Sequence, residues 1–455
     1  MDQKPNSPAP IDKSPEPVDK SPEPVDESPE PVEGPADAAL RQAQGSGALR
    51  QARGSRGARI ARRGFLLSGA TAGAAAVIAA TRRDAVADAT PADNPITRPQ
   101  LSPYGANQRV LLNEPSRAAA VISFDVIATS RRELAELFAV IGDRVKLYAA
   151  GEPVTVSDSS QPPIDNGILG PSFAGDQVGV VVGVGASLFD DRFGLAAKKP
   201  AGLKAMRTFP NDNLEPAICH GDLSVQFTAE TQDIVTHAVR DLTKHTRGAM
   251  QPRWRFDGFT SPPRPDGAPR NLLGFKDGTA NPSTTDPTTL KRLIWTPDGG
   301  SFQVIRIIRN LVEFWDRVSL QEQELMIGRR RDDGSPLDAD GELAIPNYSL
   351  DPRGLIIPTD AHIRLANPRT AKTGPSRILR RSWNYDLGLD SNGQLNQGTL
   401  FTCYQQDLAR QFEAVQTRLI DEPLVDYISP IGGGYFYVLP GLADAKDSYA
   451  RALLS

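Results

Sequence analysis

Residues 120–133 read Ala120-Val-Ile-Ser-Phe-Asp-Val-Ile-Ala-Thr-Ser130-Arg-Arg-Glu133, and this stretch decides the fold. Val121, Ile122, Phe124, Val126 and Ile127 carry a strand pattern. Ser130 and Glu133 then stand three apart as a capping box, in which the serine takes a helix amide and the glutamate reaches back, so a helix is expected to about residue 147. Strands at 178–184 and 223–228 follow, then a helix over 231–244, and segment 272–275 closes the unit. The order returns in the second half. A strand at 302–312 leads into Ser319-Leu-Gln-Glu322, a second capping box with a helix to about 327. Strands near 363–365, 378–385 and 399–404, a helix over 408–419 and a strand at 435–439 complete it.

Each half therefore reads as βαββαβ. The expected fold is α+β: two ferredoxin-like units with antiparallel sheets, one over residues 99–285 and one over 286–455. A doubly wound nucleotide fold is excluded, because Gly183-Val-Gly185 lacks a third glycine and a following helix start. That pair is a feature of a sheet or turn.

Composition agrees with a large globular body behind a polar leader. The 455 residues are 39% hydrophobic and 23% charged with a formal net charge of -4, which gives no whole-protein reason to expect nucleic-acid binding. Cys219 and Cys403 are far apart and lack metal or redox spacing, so both read as buried, inert thiols.

Residues 1–60 contain the repeat Lys13-Ser-Pro-Glu-Pro-Val-Asp19, Lys20 to Asp26 and Glu27 to Glu33, whose prolines prevent helix and leave too little apolar surface to fold. An extended Pro/Glu-rich and basic tail is expected. Residues 61–89 differ in kind. Arg62-Arg63-Gly64-Phe65-Leu66-Leu67, a mildly apolar Ala/Gly run and Ala85-Val86-Ala87 have the order of a twin-arginine signal peptide, with cleavage after Ala87 or Ala89. The apolar run is too short for a confident membrane span. Export to the periplasm or cell envelope is the expectation.

Four histidines are available to hold a metal or act as a base: His220, His237, His245 and His362. His237 and His245 read as helix decoration, and His220 beside Cys219 as structural, because adjacent residues of an extended chain point apart. His362 lies in His362-Ile-Arg-Leu-Ala-Asn-Pro-Arg369, ahead of Arg380-Arg381. Arginines gathered there could neutralise the propionates of a haem ligated by it, or the imidazole is simply satisfied at a strand end. Gly274-Phe-Lys-Asp277-Gly278-Thr-Ala-Asn-Pro282 specifies a tight turn that brings backbone close to a flat ligand, or that uses Asp277 only as a turn residue.

These segments resemble a family. Gly-Phe-Lys-Asp-Gly-Thr-Ala-Asn-Pro is similar to the GxxDG signature of dye-decolourising peroxidases. The histidine segment, Leu379-Arg-Arg381, Leu400-Phe-Thr-Cys-Tyr-Gln-Gln-Asp-Leu408 and Pro430-Ile-Gly-Gly-Gly-Tyr-Phe436 resemble its exported iron-uptake-operon branch, the deferrochelatase/peroxidases. The likeness spans roughly residues 115–455. It implies one haem b per chain, with His362 as the axial ligand and Asp277 and Arg380 as the acid/base and arginine that activate hydrogen peroxide. It further implies haem contacts from Gly278, Thr279, Ala280, Arg329, Asn367, Pro368 and Arg369. Asp426 is implied as the carboxylate on the imidazole, with Asp407 as its alternative. Ser382 stands where some relatives carry a distal asparagine.

The chemistry suits those types. A carboxylate can take a peroxide proton and return it to the leaving oxygen, while a guanidinium stabilises the charge that develops. Electrons from dyes or small phenols could pass through surface-linked aromatics such as Trp383, Tyr385 or Tyr404, although core packing is the better account of each. An acidic optimum follows from an aspartate in that role. The implied partners are hydrogen peroxide, reducing substrates or haem, the twin-arginine machinery, and a homodimer or iron-uptake proteins. A haem-handling reading, with iron released and porphyrin intact, competes with turnover, as does a carrier.

Overall fold

The computed structural model describes residues 101–151, 160–170 and 177–454. The expected tail at 1–60 and signal at 61–89 lie outside the described residues.

In the first half, β1 (Ala118–Val126), α1 (Arg131–Ala150), β2 (Gly179–Gly185), β3 (Leu223–Ala229), α2 (Gln232–His245) and β4 (Met250–Phe259) follow in order. The first capping box forms as read: Ser130 Oγ accepts from the Glu133 amide at 3.2 Å, and Glu133 Oε2 accepts from the Thr129 amide at 2.8 Å. The second half runs β5 (Ser301–Asn310), α3 (Leu320–Ile327), α4 (His362–Ala366), β6 (Leu379–Arg380), β7 (Trp383–Leu389), β8 (Leu395–Gln405), a π-helical turn Ala409–Glu413, α5 (Ala414–Arg418) and β9 (Ile428–Val438). Ser319 Oγ caps α3 through the Glu322 amide at 3.3 Å.

The strands pair antiparallel in the order β4-β1-β3-β2 in the first half. The second half repeats that sequence of neighbours as β9-β5-β8, with β6 and β7 sharing the far edge of β8. The halves do not form separate sheets. β2 pairs with β9, and β4 joins β7 at Phe259 opposite Asn384, so the sheet closes into a barrel. Closure removes the edges that two isolated sheets would expose.

Alternation along β1 sorts the core. Ala119 and Val121 join Trp254, Phe256, Ile305, Ile307, Trp383, Tyr385, Leu400 and Phe436 in a cluster drawn from both halves. The intervening Ala118, Ala120, Ile122 and Phe124 pack with Leu134, Phe138, Ile141, Val235 and Leu242 of α1 and α2. Trp383, Tyr385 and Tyr404 are thus deep in the protein, at 2%, 0% and 0% exposure, the core placement that the sequence favoured over a surface-linked one. Cys219 and Cys403 are free and buried as expected, and Gly183 and Gly185 are sheet residues of β2.

Three local expectations are corrected. The strand closing the first unit is β4 and not segment 272–275, which is irregular apart from a bridge between Arg270 and Lys276. Pro252 obscured β4; it sits where the β1–β4 register shifts, a place where a missing amide is tolerated. Residues 363–365 are helical in α4, not a strand. The expected strand at 378–385 is broken into β6 and β7 at Arg381-Ser382.

Gly398 shows how tightly the second half is joined, since an added Cβ would lie 2.0 Å from the Ile308 carbonyl oxygen across the β5–β8 pairing. Gly398→Ala is expected to lower unfolding free energy by about 1–3 kcal/mol, measured as a drop in the denaturant midpoint.

Candidate active site

Even-numbered residues of β5 carry one wall of a large cavity: Arg306, Ile308 and Asn310, joined by Thr399 and Phe401 of β8. Another wall is helical, with His362, Ile363 and Ala366 from α4 and Phe412, Val415, Gln416 and Leu419 from the π-turn, α5 and its C-cap. The turn around Asp277 and the Arg377–Arg380 segment complete it.

α4 is only five residues long, too short to be stable by itself, so its neighbours hold it. Arg418 donates to its last carbonyls, Nε to Leu365 O at 2.8 Å and Nη2 to Ala366 O at 2.9 Å. At the other end His362 Nδ1 donates to Glu422 Oε2 at 2.6 Å. Glu422 is 3% exposed. Burial works to lower the His362 pKa, but the charge and hydrogen bond of Glu422 outweigh it and hold the imidazole above its usual value. Nδ1 is thereby committed, and Nε2 is left without a hydrogen bond among the described residues in a ring that lines the cavity.

The expected carboxylate partner was wrong. Asp426 is exposed at the end of the 3-10 helix Pro423–Asp426, whereas Glu422 is the buried residue just ahead of that helix. Asp407, the alternative, accepts from the Arg410 amide at 2.8 Å and caps the π-turn. No local pattern marked Glu422. The one available signal was a carboxylate before Pro423, at the start of a helical turn.

Asp277 and Arg380, 103 residues apart, meet: Asp277 Oδ1 lies 2.9 Å from Arg380 Nη2, with both side chains a little over a quarter exposed. Both line the cavity that His362 lines. Thr279, Ala280, Asn367, Arg329 and Arg369 line it too, whereas Gly278 and Pro368 do not. Gly278 instead shapes the turn at φ 94°, a conformation open to glycine. Ser382 stands apart from the main cavity. It borders an adjoining cavity of about 20 Å³ that Asp277 also lines, which is room for one water.

Sequence reasoning missed two further groups, Asn281 and Arg377. Asn281 bonds the main chain of Arg380, and Arg377 lines the cavity. Among the described residues Arg329, Arg369 and Arg377 form no ion pair with a carboxylate. The Arg329 pKa is lowered by burial and then by Arg369 and Arg380; that of Arg377 is lowered by burial and then by Arg369 and Arg292. Cations gathered without acids form a site that an anionic ligand would stabilise.

The family profile "Dyp-type peroxidase, N-terminal" matches residues 108–260, and "Dyp-type peroxidase, C-terminal" matches 268–443. The chain belongs to the Dyp-type peroxidase family. It is 44% identical over 376 residues to the deferrochelatase of Escherichia coli (strain K12), covering 79% of this chain and 89% of that one. With the deferrochelatase of Yersinia pestis the identity is 45% over 364 residues, covering 77% and 84%. Ferric DtpA from Streptomyces lividans superposes with a TM-score of 0.70 at 30% identity, covering 78% of this chain and 98% of that one. The DyP-type peroxidase from Cellulomonas bogoriensis gives 0.69 at 31%, covering 78% and 98%.

This is a haem peroxidase family, and its cofactor is haem b. The residues present fit that group. Leu273, Phe275, Ile308, Ile327, Ile363, Phe401 and Leu424 give the cavity apolar faces, while Arg329, Arg369 and Arg377 supply charge for propionates. Among the described residues no group of three or more His, Cys, Asp or Glu could hold a bare metal ion. A single imidazole is the donor set expected when a macrocycle supplies the other ligands.

Glu422→Gln is expected to weaken haem retention and raise the reduction potential of the loaded protein, because a neutral amide is a poorer acceptor for the imidazole N–H. Asp426→Asn should change neither quantity. Spectroscopic haem titration and potentiometry check both.

Proposed function

We propose that this chain is an exported haem b peroxidase that reduces hydrogen peroxide and oxidises dyes or small phenolic donors. One observation carries the reading: the Asp277–Arg380 pair at 2.9 Å shares a cavity with an imidazole whose Nδ1 is fixed by a buried carboxylate. A passive carrier has no need of an acid/base pair there.

His362 would hold the iron through Nε2, and Glu422 would keep that nitrogen aimed and electron-rich. Thr279, Ala280, Arg329, Asn367 and Arg369, which line the cavity, would be further contacts. When bound, haem supplies the electrons that reduce peroxide. Asp277 accepts a peroxide proton at the oxygen that Arg380 does not engage, then returns it to the leaving oxygen. Arg380 stabilises negative charge as that oxygen departs. Removing the base should cost about 100- to 10,000-fold.

A second reading is favoured by one observation, the name deferrochelatase borne by relatives at 44–45% identity. In that reading the same pocket releases iron from haem with the porphyrin intact. Two ferredoxin-like units, 99–285 and 286–455, are the proposed origin of the barrel, supported by the matching strand orders of its halves. Export by the twin-arginine route to the periplasm or cell envelope rests on Arg62-Arg63-Gly64-Phe65 and the small-residue cleavage site. Homodimer formation or iron-uptake partners belong to the same proposal.

His362→Ala is expected to lose the haem absorption band that wild type shows, and Asp277→Asn to keep the band while reacting with peroxide at least about 100-fold more slowly. Steady-state turnover should be fastest on the acidic side of neutral. An alkaline optimum, or full peroxide reactivity in Asp277→Asn, overturns the assignment of Asp277. Iron-free porphyrin accumulating from haem without peroxide would favour the second reading.

A further inference from the structure

β6 is two residues long and pairs with β8 alone, Leu379 opposite Tyr404 and Arg380 opposite Cys403. In an antiparallel ladder successive residues turn their main-chain groups alternately toward and away from the partner. Arg381 turns toward β8, its amide donating to Thr402 O at 2.8 Å. Arg380 therefore presents its N–H and C=O to the open side.

Asn281 meets both groups. Its Oδ1 accepts from the Arg380 amide at 3.0 Å, and its Nδ2 donates to the Arg380 carbonyl at 3.0 Å. An amide side chain thus stands where a neighbouring strand would stand. The residue belongs to the turn that carries Asp277, closed by the Asn281 amide donating to Gly278 O at 3.2 Å. Arg377 Nη2 also donates to Asn281 O at 3.2 Å. One five-residue turn consequently grips Arg380 twice: Asn281 holds its main chain, and Asp277 lies 2.9 Å from its guanidinium.

We propose that Asn281 is a positioning residue for peroxide activation: it fixes the backbone of Arg380 against the Asp277 turn, so that the two reacting side chains are preset before peroxide arrives. This rests on the functional reading above and extends it to a group with no direct role in proton transfer. A misplacement of about 1 Å in such a pair costs on the order of 100-fold in rate.

The test compares Asn281→Ala and Asn281→Asp with wild type in the full, haem-loaded chain, scoring the bimolecular rate with hydrogen peroxide across pH as a ratio to wild type. Asn281→Ala should fall about 10- to 100-fold at every pH, with the separate rate constant for oxidation of the reducing donor unchanged. Asn281→Asp should match it near neutrality, because an ionised carboxylate faces the Arg380 carbonyl with no donor. On acidification the protonated carboxyl again donates to that carbonyl and accepts from the amide, so its ratio should recover several-fold while that of Asn281→Ala does not. Hydrogen exchange on the cofactor-free protein supplies an independent readout: the Arg380 amide should exchange at least about tenfold faster in Asn281→Ala. Wild-type peroxide rates in Asn281→Ala, equal losses without acid recovery, or an unchanged Arg380 amide would each overturn the proposal. If wild type fails to react with peroxide, the functional reading fails, and the exchange result still decides whether Asn281 clamps Arg380.

Discussion

The hydrogen bond from His362 Nδ1 to Glu422 Oε2, at 2.6 Å, is the constraint on which the site depends. It commits one ring nitrogen, fixes the tautomer, and turns the other nitrogen toward the cavity. A five-residue helix could not hold that geometry unaided. Glu422 secures its first residue and Arg418 its last carbonyls, so α4 is held from both ends by the segment that follows β8.

The sheet side of the cavity is built on a different principle. The closed antiparallel sheet gives β5 and β8 fixed positions, and β6, hung on β8, carries Arg380 to the turn that bears Asp277. Helical segments thus present the proposed iron ligand, while the sheet and one turn present the proposed peroxide-handling pair. The cavity also holds apolar side chains and Arg329, Arg369 and Arg377, which among the described residues have no carboxylate partner, an environment suited to a flat, doubly anionic ligand. The family membership and the geometry agree on what that ligand is.

Much of this was legible in residues and their spacing. The capping boxes at Ser130 and Ser319 located α1 and α3, and the repeated order of strands and helices gave the antiparallel class. His362, Asp277 and Arg380 came from motifs, and the structure brings all three to one cavity. Closure of the barrel was not legible, because it depends on β2 meeting β9 and β4 meeting β7, long-range pairings that local periodicity does not encode. Ile363-Arg364-Leu365 alternates like a strand, and five residues are too few for a helical period to show. Glu422 was missed because a contact spanning 60 residues leaves no trace in spacing. Asn281 was visible only as part of a turn motif, since its task is set by an edge strand 99 residues away.

The most direct measurement of the central claim is a crystal structure of the haem-loaded protein. Iron is expected to be bonded to His362 Nε2, with Glu422 still on Nδ1 and with Asp277 and Arg380 across the open face. A porphyrin bound elsewhere, or an imidazole turned away from the metal, would contradict it.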